Sequence, residues 1–234
     1  GISFHVGSQQ KDIAVWDALA RSRGLGIARL LGGQPRSRVA TSIVGYPPSM
    51  TPAGLAEEIY GLIERGWRRF KAPVAADADA TVARMVAARE AAGDGWLGFD
   101  ANYSLPSVAA ALELEARMRS LGLGWIEDPL PQGDAQAIAE LRRLGDTPLA
   151  VGDDQGGSYH PEALLAAGAI DVLRVDATSG GGVSGIARVI AQADAAGVPV
   201  SPHMVPHFHT RILDGLGGAD YPAEGGSPGA GVRP

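Results

Sequence analysis

At positions 125–131 the chain reads WIEDPLP, directly after the apolar, glycine-spaced LGLG of positions 121–124. Trp125 and Ile126 have strand character, but the run ends at once in Glu127 and Asp128. Pro129 then stops it, because proline has no amide hydrogen to give to a ladder. A carboxylate at a strand end either caps the next element or faces a ligand, and the surrounding chain has to decide which.

Outward from this stretch, the same kind of run recurs. RVATSIVGY, RRFKAPV, WLGFDAN, GWIEDPL, PLAVGDD, DVLRVDA, VPVSPH and ADYPAE are the strand candidates, starting near positions 39, 68, 96, 124, 148, 171, 198 and 219. Their spacing suits one strand, one helix and two short loops per unit. The intervening stretches carry helical signals: TPAGLAEEIYGLIERG opens on Thr-Pro and closes on Gly66, and LPSVAAALELEARMRSLG closes on Gly122. Strands alternating with helices at this period predict a parallel α/β sheet with right-handed crossovers. Eight units predict a closed (β/α)8 TIM-like barrel over residues 39–234. A doubly wound open sheet is the structural alternative, although no G-x-G-x-x-G follows the first strand. Residues 1–38 read as a helix and linker before the barrel, with Ile13, Trp16, Leu19 and Ala20 on one face and Gly32 and Gly33 at its end. The terminal EGGSPGAGVRP reads as a loop, as though the barrel were cut at its C-terminal end.

Bulk properties narrow the chemistry. The 234 residues carry a formal charge of −6, and no cysteine is present. An acidic protein repels nucleic acid and anionic membrane surfaces, so a small ligand or another protein is expected instead. Without thiolates, any metal must sit on oxygen or imidazole. No apolar run approaches the roughly 20 residues that span a bilayer, and no basic-then-apolar leader is visible, so a cytoplasmic location is expected.

Three successive strands end in an acid: Asp100, Glu127 and Asp153. The positions are 27 and 26 apart, about one repeat each, so all three should converge on the carboxyl-end mouth of the barrel, where sites of this fold lie. Singly, each reads as well as a helix cap or ion-pair partner. Together they repel one another unless a cation or protonation intervenes, and an oxygen-only set suits Mg²⁺. The next two strands deliver Asp176 and His203, again 27 apart. An aspartate beside a histidine orients the ring for general-base work, although a satisfied core histidine is the plainer alternative. Asn102 and Asp154 flank the proposed ligands as candidate substrate contacts, whereas Asp128 reads as a local cap. His207 and His209, two apart and therefore on opposite faces of a strand, are assigned no direct role. The loop SGGGVSG at 179–185 lacks the Gly-Lys-Ser/Thr of a P-loop, but a glycine-rich turn before a helix can hold an anion.

The ordered set FDAN, WIEDPLP, VGDD, LRVDATSGGGVSG and VSPHM resembles the barrel domain of the enolase superfamily, in its mandelate racemase and muconate lactonizing subgroup. DIAVWDALARSRGLGIARLLGG resembles the helix before that barrel. The resemblance implies that Asp100, Glu127 and Asp153 hold one Mg²⁺ and that Asp176 and His203 form the dyad removing a proton α to a carboxylate, through an enediolate. It further implies that Glu224, at the end of the eighth strand, bonds the substrate carboxylate, and that the protein assembles as a homo-oligomer. Where such proteins often carry Lys-x-Lys on the second strand, this chain has Lys71 and then Pro73. Proline cannot serve as a second base, so the resemblance points to dehydration of a sugar acid or hydroxy acid. A racemase or epimerase, or a metal-binding barrel without activity, is the alternative. Lys71 is either an electrostatic member of the site or a strand-end lysine snorkelling to solvent. The family's N-terminal capping domain, which closes over the substrate, is largely absent from the chain.

Overall fold

The strands of this protein are short because glycine, proline or an acid closes each run. β1 (Ala40–Ile43), β2 (Arg69–Pro73), β3 (Trp96–Asp100), β4 (Ile126–Glu127), β5 (Leu149–Val151), β6 (Val172–Val175), β7 (Val200–Pro202) and β8 (Ala223–Gly225) are all parallel to their neighbours. The first seven fall inside their predicted runs, and β8 overlaps its own. The computed structural model describes residues 8–36, 40–153, 158–216 and 223–225.

Strand order is β7-β6-β5-β4-β3-β2-β1-β8. The order advances one strand at a time with no reversal, which excludes the doubly wound alternative, since that fold needs a switch point. The last strand pairs with the first, Thr41 opposite Glu224. The result is a curled parallel sheet, and among the described residues no ladder joins β7 to β8.

Nine α-helices lie among the described residues: α1 (Ser8–Ser22), α2 (Ile27–Leu30), α3 (Pro52–Glu64), α4 (Ala78–Ala92), α5 (Val108–Met118), α6 (Ala135–Leu144), α7 (Tyr159–Ala166), α8 (Gly182–Ala195) and α9 (Pro206–Leu216). Local chemistry starts several of them. The side chains of Thr51, Asp77, Ser107 and Asp134 each accept the amide three residues on, supplying N-caps to α3, α4, α5 and α6. None of these helices is long and apolar enough to cross a membrane.

The expected single N-terminal helix is two. Gly24, with φ of +64°, breaks it after Ser22, and α2 restarts at Ile27. Ala20 is buried as expected, but Leu19 is 37% exposed, because α1 turns a narrower face to α8. That contact also answers the SGGGVSG question. Ser184 at the start of α8 donates its amide to Asp12 Oδ1 at 3.2 Å and its hydroxyl to Asp12 Oδ2 at 2.6 Å. The anion at this helix start is the protein's own Asp12, held where unpaired amides and the helix dipole favour it.

Apolar helix faces, including Leu55, Ile59, Met85 and Ile138, pack outside the sheet, while Trp125, Ala150 and Val172 fill its inner side beneath the mouth. Trp96 meets Trp125 edge-on, with ring centroids 4.8 Å apart. Gly98 makes room for this pair: a Cβ there would lie 2.6 Å from the Trp96 ring and 3.0 Å from Trp125 Nε1. Register then layers the interior. Pro73 pairs with Asp100, and Asp100 with Glu127, at the carboxyl ends, while Lys71 pairs with Gly98 two residues below.

Candidate active site

Asp100 and Glu127 sit side by side because β3 and β4 pair at those residues. Asp128 follows with φ of +43°, a left-handed turn that carries its carboxylate back into the same cluster. One carboxylate oxygen from each of Asp100, Glu127 and Asp128 lies within 4.8 Å of the others, and all three residues are buried. Asp128, expected as a local cap, is gathered with the acids instead, because the left-handed backbone at Asp128 itself turns its carboxylate toward Asp100 and Glu127. Asp153, the expected third ligand, is outside that tight trio. It is joined to Glu127 through Arg174, whose Nε lies 3.3 Å from Glu127 Oε1 and 3.5 Å from Asp153 Oδ2.

Lys71 is 1% exposed and does not snorkel to solvent. Its Nζ donates to Glu127 Oε1 at 2.7 Å and pairs with Asp100 Oδ2 at 2.9 Å. Burial, then the charges of Asp153, Glu127 and Asp100, push the Asp128 carboxyl well above the usual carboxylate range. Asp128 Oδ1 and Asp153 Oδ2 are buried and accept no hydrogen bond from the described residues. Buried oxygens of this kind in an all-carboxylate set fit a hard divalent cation such as Mg²⁺.

Next along the rim, Asp176 Oδ2 is 3.0 Å from His203 Nδ1, which also lies 3.9 Å from Asp153 Oδ2. His203 is anchored through its amide to Val175 O, and its side chain is 25% exposed, so the ring is reachable. Asp176 Oδ1 accepts from the amide and hydroxyl of Thr178, each at 2.6 Å. Burial drives the Asp176 pKa up, but the hydrogen bonds from His203 and from the Thr178 amide and hydroxyl outweigh it and hold the group well below its ordinary range. Asp176 is therefore a fixed anion. Its bond to Nδ1–H leaves the lone pair on His203 Nε2, the tautomer a general base needs.

His209 lies on α9, not on a strand, and is 1% exposed. Its Nε2 accepts the Ala177 amide at 2.9 Å, and Nδ1–H donates to Met204 O at 2.9 Å. A nitrogen that accepts a backbone amide carries no proton, so the 3.3 Å approach of Asp176 Oδ1 to Nε2 is a contact without a hydrogen bond. His209 staples the chain after Asp176 to the chain after His203, where Met204 and Val205 both have positive φ. The side chain of His207 is outside the described residues.

Asn102, with φ of +47°, gives its amide to Asp100 Oδ1 at 3.0 Å and bonds the phenol of Tyr46 at the exposed rim. Asp154 lies outside the described residues. Glu224 has only its backbone described, in register with Thr41. Three participants were not singled out from sequence. Arg174 had a legible signal, since it stands two residues before Asp176 on the same strand face. Tyr46 and Tyr103 had none. Tyr103 OH approaches Asp153 Oδ1 at 3.4 Å, and burial, then Asp128 and Asp153, push its pKa upward.

A parallel strand–helix sheet with acids and a His–Asp pair gathered at its carboxyl ends defines a class of α/β protein that carries its chemistry on that rim. The Enolase C-terminal domain-like family model matches residues 54–213, and the chain belongs to this family. It is 30% identical over 197 residues to the D-galactarolactone cycloisomerase of Agrobacterium fabrum, covering 82% of this chain and 52% of that protein. It is also 30% identical over 215 residues to the L-talarate/galactarate dehydratase of Salmonella typhimurium, covering 91% and 52%. Among solved structures, an enolase from Bradyrhizobium complexed with magnesium and mandelic acid superposes with a TM-score of 0.85 at 29% identity, covering 93% of this chain and 60% of that one. The chain thus spans about half the length of the curated relatives it matches.

Proposed function

We propose that the chain is the catalytic barrel of a Mg²⁺-dependent lyase that removes the proton α to the carboxylate of a sugar acid or hydroxy acid and expels the β-hydroxyl. The observation that carries the reading is the His203–Asp176 pair at 3.0 Å on the same rim as the buried acids. The relatives support it, since one is a dehydratase of acid sugars and a structural neighbour holds magnesium and a carboxylic acid. In this reading residues 39–234 close into a (β/α)8 barrel, residues 1–38 are its leading helix and linker, and the protein works as a cytoplasmic homo-oligomer.

Asp100, Glu127 and Asp153, with Asp128 beside them, would hold the ion. Bound Mg²⁺ would act as a Lewis acid for the negative charge that develops on the substrate carboxylate. His203 Nε2 takes the α-proton, and Asp176 stabilises the imidazolium that results. The same imidazolium then returns the proton to the departing hydroxyl, so one face of the substrate suffices. Lys71 offsets charge beside the acids, Asn102 and Asp154 contact substrate hydroxyls, and Glu224 orients the carboxylate end. A racemase of the same family needs a base on the opposite face. Pro73, in register with Asp100, offers none, which favours the lyase.

Two measurements test the proposal. Calorimetry with MgCl₂ should show binding that Glu127→Gln abolishes; equal binding by the variant removes the metal assignment. Proton NMR in D₂O should show α-proton exchange of an accepted acid sugar, slowed about 10²–10⁴-fold by His203→Asn. Exchange at the wild-type rate in that variant removes the dyad.

A further inference from the structure

The three proposed ligands do not stand alone in the interior. Lys71 bridges Asp100 to Glu127, and Arg174 bridges Glu127 to Asp153, so charges alternate along the row from β3 to β5. Gathering buried carboxylates without compensation is strongly unfavourable, and this row compensates all but one of its three negative charges with protein cations.

Arg174 differs from Lys71 in how it is held. It is fully buried, and Nη1 donates to Ser201 Oγ at 2.7 Å, to Pro202 O at 3.1 Å and to Ser201 O at 3.3 Å. Its guanidinium carbon lies 5.2 Å from the centroid of the Trp125 ring beneath it. A lysine ammonium on a flexible stem can withdraw when another cation arrives. A planar guanidinium bonded from behind to β7 and resting over an indole has nowhere to go.

We infer that Arg174 is a resident counter-cation of the carboxylate cage: it holds Glu127 and Asp153 in place before any metal binds, and its fixed charge weakens divalent-cation binding there. It is a positioning residue and touches no reacting atom. The inference rests on the metal assignment of the proposed function, and its test separates the two.

The test compares the wild-type chain with Arg174→Gln and Arg174→Lys, by thermal melts in EDTA and in saturating MgCl₂ and by MgCl₂ titration calorimetry. Wild type should melt cooperatively in EDTA. Arg174→Gln should melt lower than wild type in EDTA, recover more on adding Mg²⁺, and bind Mg²⁺ on the order of tenfold tighter, because a like charge a few ångströms from the ion has gone. Arg174→Lys keeps the charge on a stem that can withdraw, so its affinity should fall between those of wild type and Arg174→Gln. A glutamine variant that folds only with Mg²⁺ also supports the inference. One that stays unfolded at saturating Mg²⁺ overturns it, as do unchanged or weaker affinity, a lysine variant that behaves like glutamine, and a wild type unfolded in EDTA. Should wild type bind Mg²⁺ and Glu127→Gln not, while Arg174→Gln matches wild type, this inference alone fails. Absence of Mg²⁺ binding by folded wild type removes the metal assignment itself.

Discussion

Lys71 shows what a single side chain carries here. With 1% of its surface exposed, its ammonium is committed to Asp100 and Glu127, and Lys71→Met would keep the packing of the stem while deleting the charge between them. Breaking a buried ion pair on one side costs about 3–5 kcal/mol, so urea denaturation of this variant in EDTA should show a loss of that order. Mg²⁺ should restore part of it, because the ion supplies positive charge to the same oxygens. Equal stability with and without Lys71 would mean that the two acids are not ionised together. Sequence alone left Lys71 between an electrostatic role and snorkelling. The residue type is compatible with both, and only the register of β2 on β3 aims the stem at the neighbouring acids.

At the scale of elements, α1 is joined to the sheet's outer shell by a small polar contact. Asp12 accepts both the amide and the hydroxyl of Ser184, and Trp16 Nε1 donates to the same hydroxyl at 3.1 Å. Asp12→Ala should loosen α1 by about 1 kcal/mol while sparing the strands. Hydrogen exchange would report this as faster exchange over residues 8–22 with unchanged protection in β3 and β6; uniform acceleration would mean that α1 is part of the folding core. Strands and major helices were legible because apolar period and caps are local properties of the chain. The break of the leading helix was not, since glycine inside an amphipathic pattern is tolerated in some contexts and terminates the helix in others. Packing against α8 and α9 decided between them.

For the whole molecule, two buried groups with shifted pKa values act on stability in opposite directions as pH falls: Asp128, whose carboxyl is pushed up, favours the folded state, and His160 disfavours it. His160, buried on α7, has its pKa lowered by burial, so the folded state prefers the neutral ring while the unfolded chain protonates near its ordinary value of about 6.5. Between those two pKa values the unfolded state binds more protons, and the contribution of His160 to stability therefore falls as pH drops below about 6.5. Asp176 acts in the same direction at lower pH: its depressed pKa contributes stability above the ordinary aspartate range, lost as pH falls toward the folded value. From pH 7.5 to 5.5 the melting temperature of His160→Leu should gain on that of wild type; the same pH profile in both would remove His160 from the effect. The sequence by itself determined the eight-fold strand–helix alternation and which strands end in Asp100, Glu127, Asp153, Asp176 and His203, because period and element ends are written along the chain. Only the tertiary structure decided that Asp128 turns back among the acids, that Arg174 lies between Glu127 and Asp153, and that His209 ties the His203 and Asp176 segments together. Those arrangements depend on backbone dihedrals and on neighbours from other strands, and a Coulomb or hydrogen-bond contact between residues far apart in sequence exists only once the sheet has curled to bring them together.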